Sequence, residues 1–338
     1  MKMSDSPIPN ESLASQEYRD SLQKLQSEIA QIIVGQEEVV KQLCIAILAK
    51  GHAILVGVPG LAKTLLVRSL AEAINLDFSR IQFTPDLMPA DITGSEVLHS
   101  DPATGERTFK FISGPIFGNI ILADEINRTP PKTQAALLEA MQEQQVTVGG
   151  KTIELPNPFF VLATQNPIEQ EGTYSLPEAA LDRFLFLIQV DYPSADQELE
   201  IMRRTTQENE VKLNNILNIE ELTKMQKLVQ QVPIADTVMQ YAVSLVRNSR
   251  PGEDSSEFII KHLNWGAGPR AAQAMILAAK AYALLEGKNH VSCADIDWVA
   301  KPSLRHRISL NFAAISEGLH PDYIIDELIK ATPKHQEN

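Results

Sequence analysis

Short runs of consecutive apolar residues stand out along the chain, and polar segments with helical periodicity separate several of them. The runs cover 53–56, 120–123, 159–163 and 184–188, with a weaker fifth at 81–83. Continuous rather than alternating hydrophobicity is typical of strands that are buried on both faces. The pattern therefore predicts an α/β fold, with a parallel sheet and helices on both of its faces.

Helical periodicity precedes the first run and follows the last. Apolar residues at i, i+3 and i+4 predict helices over about 13–33 and 36–50, and after residue 193 the strand signal disappears. The predicted division is a disordered lead over 1–12, an α/β domain over 13–193 and an all-helical domain over 194–338.

Two segments interrupt the α/β pattern and are predicted to be β-hairpin insertions. Residues 97–112 suggest two strands around a turn at 101–105. Residues 145–155 place short strands on either side of Gly149-Gly150, a pair favoured in two-residue turns.

Composition narrows the function classes. Of 338 residues, 44% are hydrophobic, which is enough for two globular domains. The formal net charge of −13 has the wrong sign for a protein that coats nucleic acid. Two isolated cysteines, Cys44 and Cys293, make a zinc site improbable and fit a reducing compartment. With neither a signal peptide nor a membrane span in the pattern, we expect a cytoplasmic protein.

The strongest chemical signal is Gly-Val-Pro-Gly-Leu-Ala-Lys-Thr at 57–64, between a strand and a helix. This context is typical of a P-loop, whose backbone N–H groups surround phosphate at a helix N-terminus. Lys63 would reach the outer phosphates and Thr64 would bind Mg²⁺. Ala62 replaces the usual glycine and is small enough for the loop to survive. The predicted nucleotide-binding residues here are Gly57, Val58, Pro59, Gly60, Leu61, Ala62, Lys63, Thr64 and Leu65.

Polar side chains also follow two other apolar strands. Asp124 and Glu125 end one of them, and ligands bind at that edge of open α/β sheets. Asp124 would hold Mg²⁺, usually through water, and Glu125 would deprotonate an attacking water. Asn166 ends the other strand and could hold this water or the γ-phosphate; taken alone, an Asn-Pro turn is the better explanation, but the order of the motifs favours the functional role.

Two arginines are further candidates for catalysis. Arg183 precedes the last strand and could act on a neighbour's nucleotide as an arginine finger, the alternative being a surface salt bridge. Arg270 opens a helix of the second domain and could reach the γ-phosphate, the alternative being a solvated residue of the first turn.

The order of these motifs resembles the AAA+ ATPases, and within them the MoxR family. The resemblance covers about residues 30–330 and is carried by the segments 33–36, 57–64, 80–94, 123–128, 163–167, 176–184 and 268–270. It implies a sensor strand between the P-loop strand and the Asp124 strand, a helical lid and an assembly that is usually hexameric. An Mg²⁺-dependent ATPase with a chaperone-like role in client maturation, assembly or metal insertion is the expected function.

The resemblance also assigns roles to single residues. Adenine would lie near Val34, Gly35 and Gln36, between the core and the lid. Asn166 would be sensor one, Arg183 the finger and Arg270 sensor two, acting on its own or a neighbour's nucleotide. Arg128 could reach across an interface or lie on the surface, and Gln82 or Thr84 could hold Glu125 inactive until a partner binds.

Partners and alternatives follow from the same resemblance. A separate protein with a von Willebrand factor A domain and a client protein are expected, and membrane insertion is not. A chelatase-type subunit differs mainly in its client. A nucleic-acid motor fits poorly with the net charge, and a scaffold that binds ATP without hydrolysing it fits poorly with the presence of Glu125.

Overall fold

A parallel sheet organises the N-terminal part of the chain. The computed structural model describes residues 9–100, 107–167, 172–206, 212–253 and 255–334. The strands are β1 (Ala53–Val56), β2 (Phe78–Gln82), β3 (Gly94–Ser100), β4 (Arg107–Ser113), β5 (Ile120–Asp124), β6 (Gln145–Val148), β7 (Lys151–Glu154), β8 (Phe160–Gln165), β9 (Phe186–Gln189), β10 (Leu263–Trp265) and β11 (Ser309–Leu310). The main sheet has the order β2-β5-β8-β1-β9, with all neighbours parallel. Strand β8 lies between β1 and β5, which confirms the predicted place of the sensor strand.

Helices cover this sheet and form most of the C-terminal part. They are α1 (Pro9–Ala30), α2 (Glu37–Leu48), α3 (Lys63–Ala73), α4 (Pro89–Thr93), α5 (Pro131–Glu143), α6 (Glu178–Leu181), α7 (Ala195–Thr205), α8 (Ile219–Gln231), α9 (Asp236–Asn248), α10 (Glu257–His262), α11 (Pro269–Leu285), α12 (Cys293–Leu304), α13 (Phe312–Ser316) and α14 (Pro321–Ala331). A 3₁₀ turn covers Ile126–Arg128. The predicted α/β class with a helical lid is confirmed.

The continuous apolar runs are explained by the two faces of the sheet. In β5, Ile120 and Leu122 join the apolar cluster on one face, while Ile121 and Ala123 join the cluster on the other. All four are fully buried. Because helices or loops cover both faces, neither set of alternating positions can be polar, and the strand loses the period of two.

Two antiparallel ribbons project from the α/β part. Strands β3 and β4 pair from Gly94–Ser113 to Ser100–Arg107, and their predicted turn at 101–105 lies outside the described residues. Strands β6 and β7 pair around Gly149-Gly150. The two ribbons touch, because Lys151 Nζ lies 3.5 Å from Glu96 Oε1.

The C-terminal helices contact the sheet domain directly. Helix α11 packs on α2, and α12 packs on β9. Arg305 of the C-terminal part donates to the Leu187 carbonyl oxygen at 3.0 Å while it pairs with Asp322 at 2.7 Å. Strand β9 ends before the predicted domain boundary at 193 and α7 begins after it. Among the described residues, no helix is both long and apolar enough to cross a bilayer.

Three elements differ from the sequence-based expectation. Helix α1 begins at Pro9, inside the segment 1–12 predicted as disordered; a proline fits the first helical turn because its missing N–H has no partner there. Strand β2 covers Phe78–Gln82 rather than 81–83, since an edge strand is only partly buried and carries a weak apolar signal. The part predicted as all-helical also contains the pair β10–β11, whose strands are too short to leave a periodic pattern.

Candidate functional site

The P-loop folds as a turn between β1 and α3. Gly57 follows β1, and a β-carbon at this position would lie 2.6 Å from the Val190 carbonyl oxygen, so only glycine fits. Gly60 has a φ of +86° and Ala62 a φ of 52°, both in the left-handed region. Ala62 thus adopts a backbone conformation that glycine adopts more readily, at a cost of about 1–2 kcal/mol. The turn directs the first N–H groups of α3 toward the loop.

Lys63, the first residue of α3, is folded back into this loop. Its Nζ donates a hydrogen bond to the Gly57 carbonyl oxygen. Burial lowers the pKa of Lys63, while attraction to Asp124 and Glu125 opposes that shift. The Lys63 ammonium is therefore near enough to Asp124, the last residue of β5, and to Glu125, which follows it, for their charges to interact. Thr64 is half-buried, whereas Leu65 is 45% exposed.

Asp124 ends β5 and is bound on both of its oxygens. Thr164 Oγ1, fully buried at the end of β8, donates to Asp124 Oδ1 at 2.6 Å. Arg80 of β2 donates to Asp124 Oδ2 through Nε at 3.1 Å and Nη2 at 2.7 Å. The carboxylate is thus oriented by side chains from the strands on both sides of its own.

Glu125 has an unusual backbone and a restrained carboxylate. Its φ of 56° lies in the left-handed region, and its N–H donates to Thr164 Oγ1 at 2.9 Å. Gln82 Nε2 donates to Glu125 Oε2 at 3.0 Å, and Arg128 Nε lies 3.2 Å from the same oxygen. Of the two residues predicted to restrain Glu125, the structure places Gln82 there. Thr84 instead bonds Asp86 and holds the pKa of that carboxyl below its usual value.

Asn166 follows β8 directly and is buried. Because β5 and β8 are parallel neighbours, the carboxyl ends that carry Asp124 and Asn166 lie at the same edge of the sheet. The structure thus brings the P-loop, Asp124, Glu125 and Asn166 to one edge.

The segment predicted to contact adenine lies between α1 and α2. Gln36 Nε2 donates to the Asp191 carbonyl oxygen at 3.3 Å, on the connection between the sheet and α7. Gly35, with a φ of +73°, faces Gln197 of α7 so closely that a β-carbon would lie 2.5 Å from it. Gly35 therefore adjoins α7 of the C-terminal part, and Gln36 contacts the segment that leads into it, while the adenine contact of Val34, Gly35 and Gln36 stays a prediction.

Arg183 and Arg270 lie together in a different place. Both line a cavity of about 260 Å³. Arg183 Nε donates to Gln142 Oε1 at 3.0 Å. Arg270 Nη1 lies 3.8 Å from Asp182 Oδ2, and the buried Arg307 donates to Asp182 Oδ1 at 2.8 Å. Among the described residues that line this cavity, none belongs to the P-loop. The two arginines therefore lie in a cavity separate from the P-loop of the same chain.

Several residues of these sites escaped the sequence analysis. Arg80 and Thr164 lie inside recognised motifs, but their contacts with Asp124 connect residues 44 and 40 positions apart. Asp182 and Arg307 are 125 positions apart. A single sequence carries no signal for such pairs, whereas an arginine in a partly buried strand could have been noted as a candidate ion pair.

The edge that carries the P-loop fits a magnesium–nucleotide complex. Among the described residues, no side chain caps the first turn of α3, so its N–H groups can face phosphate. A β-carbon at Gly60 would meet nothing within 4 Å, which leaves room beside the loop. The Asp124 carboxylate and the Thr64 hydroxyl supply the oxygen ligands that Mg²⁺ prefers.

Comparison with known proteins agrees with this geometry. A family model for the "ATPase family associated with various cellular activities" matches residues 52–186, and a model for the AAA lid domain matches residues 261–328. A crystal structure of a candidate ATPase from Cytophaga hutchinsonii superposes with a TM-score of 0.89 and 41% identity, covering 96% of this chain and 98% of that one. The chain is therefore a member of the AAA+ class, with a P-loop domain and a lid.

Relatives narrow the class to one family. "Chaperone MoxR1" of Mycobacterium tuberculosis is 40% identical, over 94% of this chain and 83% of its own length. "Protein MoxR" of Methylorubrum extorquens is 30% identical, over 87% of this chain and 89% of its own. The protein belongs to the MoxR family of AAA+ ATPases, as the motifs predict.

Proposed function

We propose that this protein hydrolyses ATP with Mg²⁺ at the edge formed by β1, β5 and β8. The observation that carries the proposal is that β1, β8 and β5 are parallel neighbours, so that the P-loop, Asp124, Glu125 and Asn166 follow strand ends at one edge of the sheet. Phosphoryl transfer to water needs positioning and neutralisation of charge rather than covalent chemistry. A P-loop cation beside two carboxylates at a sheet edge supports both.

Each residue would contribute one part of the reaction. The N–H groups of residues 60–64 and the Lys63 ammonium would bind the phosphates. Thr64 and Asp124 would hold Mg²⁺, which neutralises phosphate charge when bound. Glu125 would accept the proton of the attacking water, and Asn166 would orient that water or the γ-phosphate. Since Gln82 and Arg128 engage Glu125, this step requires the carboxylate to leave them, which is how a partner could regulate the rate.

Arg183 and Arg270 would act on the nucleotide of a neighbouring subunit. Their shared cavity has no P-loop residue in its described lining, and Asp182 lies between Arg270 and Arg307. This grouping favours action in trans for both arginines over action of Arg270 in cis. A closed ring, with six subunits by resemblance to the family, would supply each site with the arginines of its neighbour.

The output would be chaperone-like work on another protein. A relative named "Chaperone MoxR1" supports this assignment. The β3–β4 ribbon exposes Leu98, Phe109 and Ile112, which suit a protein surface better than a phosphate backbone. The client, the separate partner with a von Willebrand factor A domain and the cytoplasmic location stay predictions.

Complementation between two inactive variants tests this proposal. Phosphate release from ATP would be measured for Glu125→Gln, for Arg183→Ala and for their mixture. We expect each variant alone to lose about 10²-fold or more in rate. The mixture should recover activity, because Glu125 of one subunit then meets Arg183 of the next.

A mixture of Glu125→Gln with Lys63→Ala is the matched control. In that mixture, a site formed by a Lys63→Ala subunit has Glu125 and a neighbour's Arg183 but no P-loop lysine, so no activity should return. Equal recovery in both mixtures would refute shared sites. An inactive wild type that still binds ATP would refute hydrolysis by the chain alone.

A further inference from the structure

The metal-binding carboxylate of the proposed site is engaged by a cation of the chain itself. Arg80 directs two N–H groups at Asp124 Oδ2, at 3.1 and 2.7 Å. Asp124 Oδ1 is bound by the Thr164 hydroxyl at 2.6 Å. Arg80 therefore occupies the oxygen that remains after Thr164 has bound the other, and this is the oxygen that Mg²⁺ or its water would use.

The same guanidinium is connected to Glu125. Arg80 Nη2 also donates to Gln82 Oε1 at 2.5 Å, and Gln82 Nε2 donates to Glu125 Oε2 at 3.0 Å. The orientation of the Gln82 amide follows from chemistry, because a guanidinium can only donate and a carboxylate can only accept. A continuous chain of hydrogen bonds thus runs from Asp124 through Arg80 and Gln82 to Glu125.

The strand position of Arg80 allows it to leave. Arg80 and Gln82 are two residues apart on the edge strand β2, so their side chains share one face. The side chain of Arg80 is 47% exposed, whereas that of Asp124 is 13% exposed. The guanidinium can therefore turn into solvent while Thr164 keeps Asp124 in place, and its charge does not depend on pH.

We propose that Arg80 is a positioning residue that holds Asp124 until Mg²⁺ displaces it, and that this displacement releases Glu125 through Gln82. The inference rests on the proposed function, because it concerns the same metal site. It adds that binding of the metal and release of the water-activating carboxylate are coupled by one arginine. Glu125 would then lose its Gln82 contact only in a subunit that holds the metal with its nucleotide, and the Arg128 contact would be the one that remains to be broken.

The test measures how strongly Mg²⁺ assists nucleotide binding, without turnover. The probe is ADP that carries a fluorescent N-methylanthraniloyl group, titrated once with MgCl₂ and once with EDTA. The ratio of the Kd in EDTA to the Kd in Mg²⁺ reports the metal's contribution. In Arg80→Gln we expect this ratio to rise roughly twofold to fivefold, the range for loss of an exposed ion pair.

Two other variants distinguish the effect of the Arg80 charge from the effect of its hydrogen bond to Gln82. Arg80→Lys keeps a cation beside Asp124 but replaces the planar fork, so its ratio should lie between those of wild type and Arg80→Gln. Gln82→Ala should raise the ratio less than Arg80→Gln. The double variant should match Arg80→Gln alone, because both changes break the same chain of bonds. Arg247→Gln, an exposed arginine of α9, is the matched control and should leave the ratio unchanged.

The proposed function, the role of Arg80 and the coupling to Glu125 are each refuted by a different result. If wild-type protein binds the fluorescent ADP in neither buffer, the proposed function is wrong and the inference falls with it. If wild type shows a Mg²⁺-dependent ratio that is unchanged or lowered in Arg80→Gln and Arg80→Lys, only the role of Arg80 is refuted. Additive effects of Arg80→Gln and Gln82→Ala would refute the coupling to Glu125. Thermal melting of every variant verifies that it is folded.

Discussion

The two candidate regions of this protein are built in different ways. The P-loop edge takes its residues from the ends of parallel strands, so the sheet itself places Asp124 and Asn166 together. The arginine cavity instead joins residues of the α/β part to Arg270 and Arg307 of the C-terminal part, with Asp182 between them. The first region depends on a rigid sheet, whereas the second depends on how the two parts of the chain pack.

This difference matters for regulation. A site made of strand ends can change little except through side chains, as the Gln82–Glu125 contact illustrates. A site that bridges two parts of the chain changes whenever they move. We therefore expect perturbations of packing to affect the arginine cavity first, and changes of single hydrogen bonds to affect the P-loop edge.

The largest expected effect concerns pH at the cavity. His52, which lines it, accepts the Val161 N–H on Nδ1 at 3.0 Å and faces the Met141 carbonyl oxygen through Nε2 at 3.3 Å. Burial lowers its pKa to about 4. The unfolded chain, with a histidine pKa near 6.5, therefore binds more protons than the folded chain between these values, and stability falls as pH falls. Lowering the pH from 7 to 5 should therefore reduce the free energy of unfolding by about 2 kcal/mol through His52 alone.

Urea unfolding at the two pH values measures this loss. The variant His52→Gln can still accept from Val161 and donate to Met141 but cannot titrate, so its loss should be smaller by about 2 kcal/mol. The buried His306, whose pKa is also lowered by burial, shifts stability in the same direction and remains in both proteins. An identical pH dependence in wild type and variant would contradict the role of His52.

Asp182→Ala should also lower stability, because the buried Arg307 then loses its only charged partner among the described contacts. Removing one member of a buried ion pair lowers the free energy of unfolding by about 3–5 kcal/mol. Because the Asp182 side chain is 28% exposed and Arg307 keeps its bonds to carbonyl oxygens, we expect a smaller loss of about 2 kcal/mol. Denaturant unfolding measures it. The change to compare at the other region is Asp124→Asn, which keeps an acceptor for the buried Thr164 hydroxyl and leaves the exposed Arg80 free to hydrate, so it should cost less than about 1 kcal/mol. Equal losses at the two positions would erase the distinction between the regions.

Much of the P-loop edge could be predicted from sequence because its signals are local. A strand, a glycine-containing turn and a helix are contiguous in 53–73, and the Asp124 and Asn166 strands carry their polar residue at the end. The sequence predicts β2 at 81–83 instead of Phe78–Gln82, because an edge strand is partly exposed and its apolar pattern is weak. This strand nevertheless supplies both Arg80 and Gln82. Contacts between distant residues, such as Asp182 with Arg307, depend on tertiary packing and have no local pattern.

Gln82→Ala should have a moderate effect at the P-loop edge. Loss of the 3.0 Å bond removes one of the two contacts that restrain Glu125, and one hydrogen bond contributes about 0.5–1.5 kcal/mol, so basal ATP hydrolysis should rise about threefold. Steady-state phosphate release measures this change. Thr84→Val serves as the control, because Thr84 bonds Asp86 and its replacement should leave the rate unaltered. A slower Gln82→Ala enzyme would mean that Gln82 assists Glu125 rather than restraining it.

The smallest expected effect is at Ala62. With a φ of 52°, this alanine should be replaced by glycine with a gain of about 0.5 kcal/mol, since relief of strain exceeds the added entropy of the unfolded chain. Ala71→Gly, at a buried position in the last turn of α3, should instead lose about 1 kcal/mol or more. Thermal unfolding of both variants decides the sign, and destabilisation by Ala62→Gly would show that the loop stores no strain at this residue.

The contact between the two ribbons has a mechanical consequence. A short loop joins β4 to β5, which ends at Asp124, and another joins β7 to β8, which ends at Gln165 beside Asn166. Because Lys151 contacts Glu96, we expect a displacement of one ribbon to move the other. A load on either ribbon would then act on two adjacent strands at once, at whose carboxyl ends Asp124 and Asn166 lie.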